Sequence, residues 1–221
     1  MEKHITLAEI KSSSEIISYI KQADASLKVM GYTEHGLAHV GIVSKIAGDL
    51  LHDLGYSEHI VELARIAGYM HDIGNVVNRI DHAQSGAIMA FRILDNMGMP
   101  ADDIALIINA IGNHDESTAV PLNEVSAALI LADKTDVRRS RVRNKKFDQF
   151  DIHERVNYAV IENNTFLDKA SMTFNQNITI DTEIGSIMEY FEIYMNRLLL
   201  ARRAAEFLKL HFMLTVNGTK F

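Results

Sequence analysis

Apolar residues recur at helical spacing through the first two thirds of the chain. Between Val40 and Leu54 they fall three or four positions apart, and Gly55 stands where that helix would end. The same spacing predicts further helices over about 60–70 and 82–97, and two more that begin near Asp102 and Asn123. We therefore expect a helical bundle in this part of the chain.

The pattern changes after Arg143. Short segments rich in β-branched or aromatic residues predict strands over 156–161, 170–174 and 178–181, with a turn at 175–177 between the last two. A long amphipathic helix, from Glu183 to about Lys209, and a last strand over 210–216 follow. The expected fold class is mainly α. A helical domain over residues 1–145 precedes an α+β subdomain over residues 146–221, which packs on it and contains a short antiparallel sheet and the long helix.

Composition excludes several classes of protein. The 221 residues include no cysteine, which rules out disulfides, thiolate metal sites and a cysteine nucleophile. The formal net charge of −7 argues against a nucleic-acid polymer as partner. No apolar run reaches the roughly 18 residues that a membrane-spanning helix needs, and the start of the chain lacks the apolar stretch of a signal peptide. We expect a cytoplasmic protein without a membrane partner.

Polar residues occupy positions where the helical pattern predicts apolar, core-facing residues. His39 lies four before Val43, His114 lies three after Ile111, and Asp133 lies four after Leu129. A carboxylate on a core-facing stripe is costly to bury unless it is paired or binds a cation. Together with His71-Asp72 at the end of another helix, these side chains are expected to converge on one point.

The order and local sequence of these residues resemble a known family. The segments are EHGLAHVGIV, GYMHDIGN, DHAQSGA, AIGNHDE and LADKTD. Over about residues 30–140 they resemble the HD-domain metal-dependent phosphohydrolase superfamily, in the subgroup with two additional histidines and a dinuclear metal site. The resemblance implies that the metal ligands are His39, His71, Asp72, His82, His114 and Asp133, and it favours two iron or manganese ions. Asp72 is the expected bridging and catalytic carboxylate, since each of its oxygens can hold one ion.

Further residues around this constellation are candidates for the site. His35, one helical turn before His39, is a candidate extra ligand. Asn75 stands where several related families carry a lysine. A basic run follows the last ligand and is either a solvated loop or a rim that binds substrate phosphate. It comprises Arg138, Arg139, Arg141, Arg143, Lys145 and Lys146. Arg138, Arg141 and Arg79 are the preferred phosphate contacts, ahead of Lys134, which is expected to point about 100° away from Asp133.

Three functions fit these observations. The first is hydrolysis of a nucleotide or related small phosphate ester, a monoester or a diester, by a metal-activated water. The second is a di-iron oxygenase on the same fold, and the third is a metal-binding module without catalysis. The expected partner is a small phosphorylated substrate. The long helix covers the helical domain or forms the seam of a homodimer, and both placements stay open.

Overall fold

The computed structural model describes residues 4–144 and 146–221. The first part contains α1 (Leu7–Ser12), α2 (Ser14–Val29), α3 (Leu37–Asp53), α4 (Glu58–Met70), α5 (His82–Met97), α6 (Ala101–Gly112) and α7 (Glu124–Lys134). It is followed by α8 (Ile152–Ala159), β1 (Val160–Asp168), β2 (Thr173–Ile180), α9 (Ile187–Phe207), β3 (His211–Val216) and β4 (Thr219–Lys220). The predicted fold class, a helical bundle followed by a small α+β segment, is confirmed.

Side-chain caps fix where several helices begin. The Ser57 hydroxyl accepts a hydrogen bond from the backbone of Ile60 at the start of α4. At the start of α7, the Asn123 side chain accepts from the Ser126 backbone at 2.8 Å, while the Ser126 hydroxyl accepts from the Asn123 backbone at 3.0 Å. These bonds satisfy amide groups that a helix leaves without an internal partner.

Helices α3 and α4 approach each other closely at Gly68. A Cβ atom added to this glycine would lie 2.7 Å from the Cα atom of Ser44. The Ser44 hydroxyl donates to the carbonyl of Arg65 at 2.7 Å and joins the same two helices. This contact sets the spacing between α3, which carries His39, and the end of α4, where His71 lies.

The main apolar core crosses from the helical part into the C-terminal part. Buried residues of α3, α4, α6 and α7 share one cluster with Phe174 of β2, with Leu200 and Ala204 of α9, and with Leu208 directly after α9. A second cluster lies between α8, α9 and the sheet and includes Tyr190. The division of the chain into domains near residue 145 stays a prediction, and the core is continuous across that position.

The sheet is mixed, in the order β1-β2-β3-β4. Strands β1 and β2 form an antiparallel hairpin, β2 and β3 pair in parallel, and β3 and β4 are antiparallel. The prediction of an antiparallel sheet was therefore wrong for the central pair. The reason is α9, which connects β2 to β3 and provides the long crossover that parallel neighbours require.

Two local predictions also differ from the structure. The segment 156–159 is the end of α8, and the strand begins only at Val160. The predicted turn at 175–177 is the interior of β2, where buried Gln176 donates from Nε2 to the carbonyl of Thr135 at 3.1 Å. A tertiary partner therefore accommodates a polar residue inside a strand. The hairpin turn lies earlier, where the Asp168 carboxylate accepts from the Ala170 backbone at 3.0 Å and the Ser171 hydroxyl at 2.7 Å.

The helices lack membrane-spanning character. Within residues 4–144 and 146–221, no helix combines the length and the apolar composition that crossing a bilayer would require.

The close approach of α3 and α4 leads to a stability prediction. Gly68→Ala should lower the free energy of unfolding by about 1–3 kcal/mol, because the new methyl group forces the two helix backbones apart. Gly41→Ala in α3 is the matched control, since its Cβ would meet no atom of the described residues within 4 Å. It should raise stability by up to about 1 kcal/mol through helix propensity. Urea unfolding of both variants tests this, and equal effects would contradict the packing argument.

Candidate metal centre

Six side chains from five segments meet in the interior of the helical part. His39 lies in the first turn of α3, and His71-Asp72 follows α4 directly. His82 begins α5, His114 lies just beyond α6, and Asp133 is in the last turn of α7. All six residues are between 0% and 6% exposed. The convergence expected from the sequence is thus present in the structure.

A hydrogen bond from the outer ring nitrogen fixes each of the four histidines. The acceptors are backbone carbonyls in three cases and a carboxylate in one, so Nδ1 carries a proton in each ring, and in the neutral ring Nε2 is an acceptor. The bonds run from His39 to Asp136 Oδ2 at 2.7 Å, from His71 to the Gly68 carbonyl at 2.9 Å, from His82 to the Arg79 carbonyl at 3.0 Å, and from His114 to the Ile111 carbonyl at 2.6 Å.

The inner nitrogens gather around the two carboxylates. Asp72 Oδ2 lies 3.6 Å from His39 Nε2 and 3.4 Å from His71 Nε2. Its other oxygen, Oδ1, lies 3.6 Å from His82 Nε2 and 3.9 Å from His114 Nε2. Asp133 Oδ1 lies 3.3 Å from His39 Nε2. The two oxygens of Asp72 therefore face different pairs of histidines.

Several of these inner atoms are buried acceptors that face one another. Among the described residues, Nε2 of His39, Nε2 of His71 and Oδ2 of Asp72 have no hydrogen-bond partner. The Nε2 atoms of His82 and His114 approach to 3.2 Å, although the outer bonds leave both without a proton. Buried polar atoms without partners cost about 1–3 kcal/mol each. A cation among them would remove that cost.

The donor set fits divalent metal ions. Three overlapping groups each bring three ligand atoms within 4.8 Å of one another. They are His39-His71-Asp72, His71-His114-Asp133 and Asp72-His82-His114. Imidazole and carboxylate ligands without thiolate suit first-row transition metals.

Burial and neighbouring charges set the protonation states that a metal needs. Burial lowers the pKa of His114 to about 3, with help from His71 and Lys134. Burial alone would raise the pKa of Asp72, but His71 and other nearby histidines hold it well below its usual range. Burial alone would lower the pKa of His71, but the nearby carboxylates of Asp72 and Asp133 raise it above its usual value. The centre thus has ionised carboxylates and a neutral His114. At His71, a metal ion has to compete with a proton for the ring nitrogen Nε2.

Two basic residues, Lys134 and Arg197, lie beside Asp133. The Lys134 ammonium lies 2.6 Å from Asp133 Oδ2 and 3.2 Å from Glu116 Oε1. The expectation that Lys134 points away was wrong, because its long side chain bends back to the carboxylate beside it. Arg197 of α9 donates to the Asp133 carbonyl at 2.8 Å, and its Nε lies 3.2 Å from Glu116 Oε1.

The structure places Arg138 and Arg141 behind His39 rather than at a substrate rim. Arg138 Nε donates to Asp136 Oδ1 at 2.7 Å. Arg141 is 2% exposed and donates to the backbone carbonyls of Asp136 and Glu34, each at 2.8 Å. This corrects the phosphate-binding role expected for the two arginines, because their donors are used to hold Asp136 and the chain before α3. Arg143 pairs with Asp24, and Lys145 lies outside the described residues.

Arg79 and His35 do lie beside the centre. Arg79 Nη1 is 3.4 Å from His82 Nε2 and 3.4 Å from Asn75 Oδ1. The His35 ring lies 5.4 Å from the His39 ring and donates from Nδ1 to the Thr33 carbonyl at 2.8 Å. It belongs to none of the three ligand groups found among the described residues. Asn75 donates to Asp72 Oδ1 at 2.9 Å, so it orients the carboxylate.

A small chamber and a large cavity adjoin beside the six candidate ligands. The chamber, about 30 Å³, is lined by ligand residues and by His35, Arg79, Glu116 and Arg197. These last four residues also line a cavity of about 510 Å³. Its walls come from both parts of the chain, with Tyr32 on one side and His153 and Tyr194 on the other. The volume is in the range of small-molecule sites.

The helical part of the chain is similar to known proteins. Residues 36–138 match the family model of the HD domain. Ribonuclease Y of Enterococcus faecalis is 30% identical over 125 residues, which are 54% of this chain and 21% of that protein. Ribonuclease Y of Oceanobacillus iheyensis is 29% identical over 122 residues, again 21% of that protein. The chain therefore matches about a fifth of the length of these relatives.

Two further proteins are similar over a larger share of this chain, at lower sequence identity. An uncharacterized protein of Methanocaldococcus jannaschii is 24% identical over 157 residues, which cover 61% of this chain and 60% of that protein. The crystal structure of a predicted HD superfamily hydrolase from an uncultured Thermotogales bacterium has 25% sequence identity and a TM-score of 0.45. It covers 61% of this chain and 75% of that one.

The hydrogen bond behind His39 leads to a metal-affinity prediction. Asp136→Asn should weaken Mn²⁺ binding about 10- to 100-fold, because it removes the negative charge that fixes the ring and raises the basicity of its inner nitrogen. Asp103→Asn is the matched control, since its carboxylate also lies 2.7 Å from a histidine nitrogen, that of exposed His59. Calorimetric titration measures both affinities after circular dichroism has shown that the variants are folded. An equal affinity in both variants would contradict the role of Asp136.

Proposed function

We propose that the protein is a metal-dependent phosphohydrolase that hydrolyses a nucleotide or a related small phosphate ester, a proposal supported by the match of residues 36–138 to the family model of the HD domain. The observation that carries the proposal is the buried cluster of unpartnered Nε2 and carboxylate atoms, which adjoins a cavity through Arg79 and His35. The cluster supplies ligands for cations, and the cavity gives a substrate room beside them.

We assign two ions to the centre, with iron or manganese as the metals. The assignment is supported by Asp72, whose oxygens face His39 and His71 on one side and His82 and His114 on the other. Asp133 completes the group that contains His39. Divalent ions bound there would act as Lewis acids on the phosphate and lower the pKa of a water molecule at neutral pH.

The residues of the chain have separate tasks in this proposal. Asn75 holds Asp72 in one orientation through its bond to Oδ1. Lys134 and Arg197 balance the charge of Asp133. Arg79, whose guanidinium lies beside His82 and lines the chamber, contacts a phosphate oxygen of the substrate. In the reaction, water forms a new bond to phosphorus, the bond from phosphorus to the leaving oxygen breaks, and that oxygen takes up a proton to leave as an alcohol.

Enclosure favours a small substrate over a polymer. The ligand residues are at most 6% exposed, and the cavity beside them holds about 510 Å³. The net charge of −7 provides no overall attraction for a nucleic-acid chain. Ribonuclease Y relatives are named for acting on RNA, so an RNA oligonucleotide belongs in any substrate screen.

Two bound ions can be counted directly. Wild-type protein loaded with Mn²⁺ and desalted should contain close to two ions per chain by elemental analysis, whereas the double variant His82→Ala/His114→Ala should contain one or fewer. The control is His52→Ala/His59→Ala, which changes two exposed histidines outside the centre and should keep the wild-type content. Unchanged stoichiometry in the first double variant would refute the second ion.

Hydrolysis itself is tested with a panel of phosphate esters that includes nucleoside monophosphates, dinucleotides and RNA. Mn²⁺-loaded protein should release alcohol from at least one small ester. Asp72→Asn should lower that rate by about 10³-fold or more, because the loss of metal binding removes several kcal/mol of transition-state stabilisation. Oxidation of the substrate without cleavage of a phosphorus–oxygen bond would instead support the oxygenase, and an inert panel would support a binding module.

A further inference from the structure

Helix α9 packs on the rest of the molecule with one face and exposes the opposite face. Its buried side chains belong to both apolar clusters and are Tyr190, Tyr194, Leu198, Leu200, Ala201, Ala204 and Ala205. On the other face, Met188 is 75% exposed, Met195 is 44% exposed and Leu199 is 38% exposed. Apolar side chains that lie together on a surface mark a contact site more often than single exposed ones do.

The exposed side chains follow the spacing of a coiled-coil seam. Six exposed positions lie alternately four and three residues apart, so they fall on one line along the helix. They are Met188, Glu192, Met195, Leu199, Arg202 and Glu206. We call this line the open stripe. Its centre is apolar, and a glutamate precedes that centre while an arginine follows it.

The order of charges along the open stripe fits an antiparallel copy of the same helix. If a two-fold axis crosses the helix midway between Met195 and Leu199, each of these residues faces the other one in the second copy. Glu192 then faces Arg202 of the copy. The two-fold axis repeats both contacts, so four apolar side chains have an opposite-charge pair on either side. A parallel arrangement would instead place like charges opposite each other, which is unfavourable.

The arginine of the open stripe can change partners easily. Arg202 Nε lies 3.8 Å from Glu206 Oε1 on the same helix, and the two side chains are 59% and 63% exposed. An ion pair as exposed as this contributes little to stability. Arg202 can therefore turn to a glutamate of a second chain without leaving a buried charge behind.

An aromatic pair extends the apolar surface beside the open stripe. Phe191 follows Met188 by three residues and precedes Met195 by four, so it lies next to both on the helix surface. Its ring contacts the Phe221 ring at a centroid distance of 5.1 Å. Phe221 is 57% exposed. A helix that packs on the open stripe would find further apolar surface here.

From this arrangement we propose that α9 forms the interface of a homodimer, in which the open stripes of two copies pair in antiparallel orientation. The inference does not depend on the proposed function. Helix α9 then has two tasks, because its buried side holds Asp133 through Arg197 and its open stripe joins the subunits. Asn196, next to Met195, lines the large cavity, so the interface runs along one wall of that cavity in each subunit.

The charge pair is tested by sedimentation equilibrium at low salt, which gives the dissociation constant of the dimer. Wild-type protein should reach twice the mass of the chain. Glu192→Arg should raise the dissociation constant about tenfold or more, because each dimer loses two opposite-charge contacts and gains two like-charge ones. Arg202→Glu should have the same effect. The double variant Glu192→Arg/Arg202→Glu exchanges the two charges and should restore a dissociation constant close to that of the wild type.

A further variant tests the apolar centre. Leu199→Glu should leave the protein monomeric at concentrations where the wild type is dimeric, because it places a charge against Met195 of the second copy. Asp95→Arg, at an exposed acidic position of α5, is the control. It changes the net charge by the same amount as Glu192→Arg and should keep the wild-type dissociation constant. All the substituted residues are exposed, and circular dichroism checks that the variants are folded.

Each outcome decides for or against the proposed interface. Weakening by the single charge variants, with recovery in the double variant, supports it. A wild-type protein that is monomeric at every concentration overturns it. A dimer that Leu199→Glu and Glu192→Arg leave unchanged also overturns it, since that dimer uses another surface. Weakening without recovery in the double variant overturns the antiparallel pairing.

Discussion

The orientation of four imidazole rings governs this protein's chemistry. Each ring donates from Nδ1 to an acceptor on its outer side, so each presents its Nε2 atom to the same interior space. Two buried carboxylates, Asp72 and Asp133, face those nitrogens. Acceptors that point at one another in a dry interior are unfavourable, and a positive ion is the simplest partner that satisfies all of them. Metal binding thus follows from the hydrogen bonds around the ligands as much as from the ligands.

The surrounding structure maintains this arrangement from several directions. Close packing at Gly68 fixes α3 against α4, and the Gly68 carbonyl also holds the His71 ring. Asp136, itself held by Arg138 and Arg141, orients His39. Arg197 of α9 binds the backbone of Asp133, so the C-terminal part contacts the centre directly. Arg138 and Arg141 of the basic run therefore support one histidine.

Sequence reasoning could locate three of the ligands because they break a strong pattern, while His82 was expected from the family resemblance alone. His39, His114 and Asp133 occupy core-facing helical positions, where a polar residue needs a special reason. Asp136 and Arg197 carried no such signal, since their roles depend on how α7, the following loop and α9 meet in space. The mixed sheet was missed for a similar reason. Parallel pairing of β2 with β3 depends on where α9 packs, and Gln176 is tolerated in a strand only because the Thr135 carbonyl is near.

The most direct test of this account is an anomalous diffraction measurement on crystals grown with Mn²⁺. The account predicts strong manganese peaks between the inner nitrogens of His39 and His71 and an oxygen of Asp72, and between that carboxylate and His82 with His114. The four outer hydrogen bonds should remain in place. Rings that turn toward other partners, with no anomalous peak among them, would contradict the claim that cations satisfy this buried cluster.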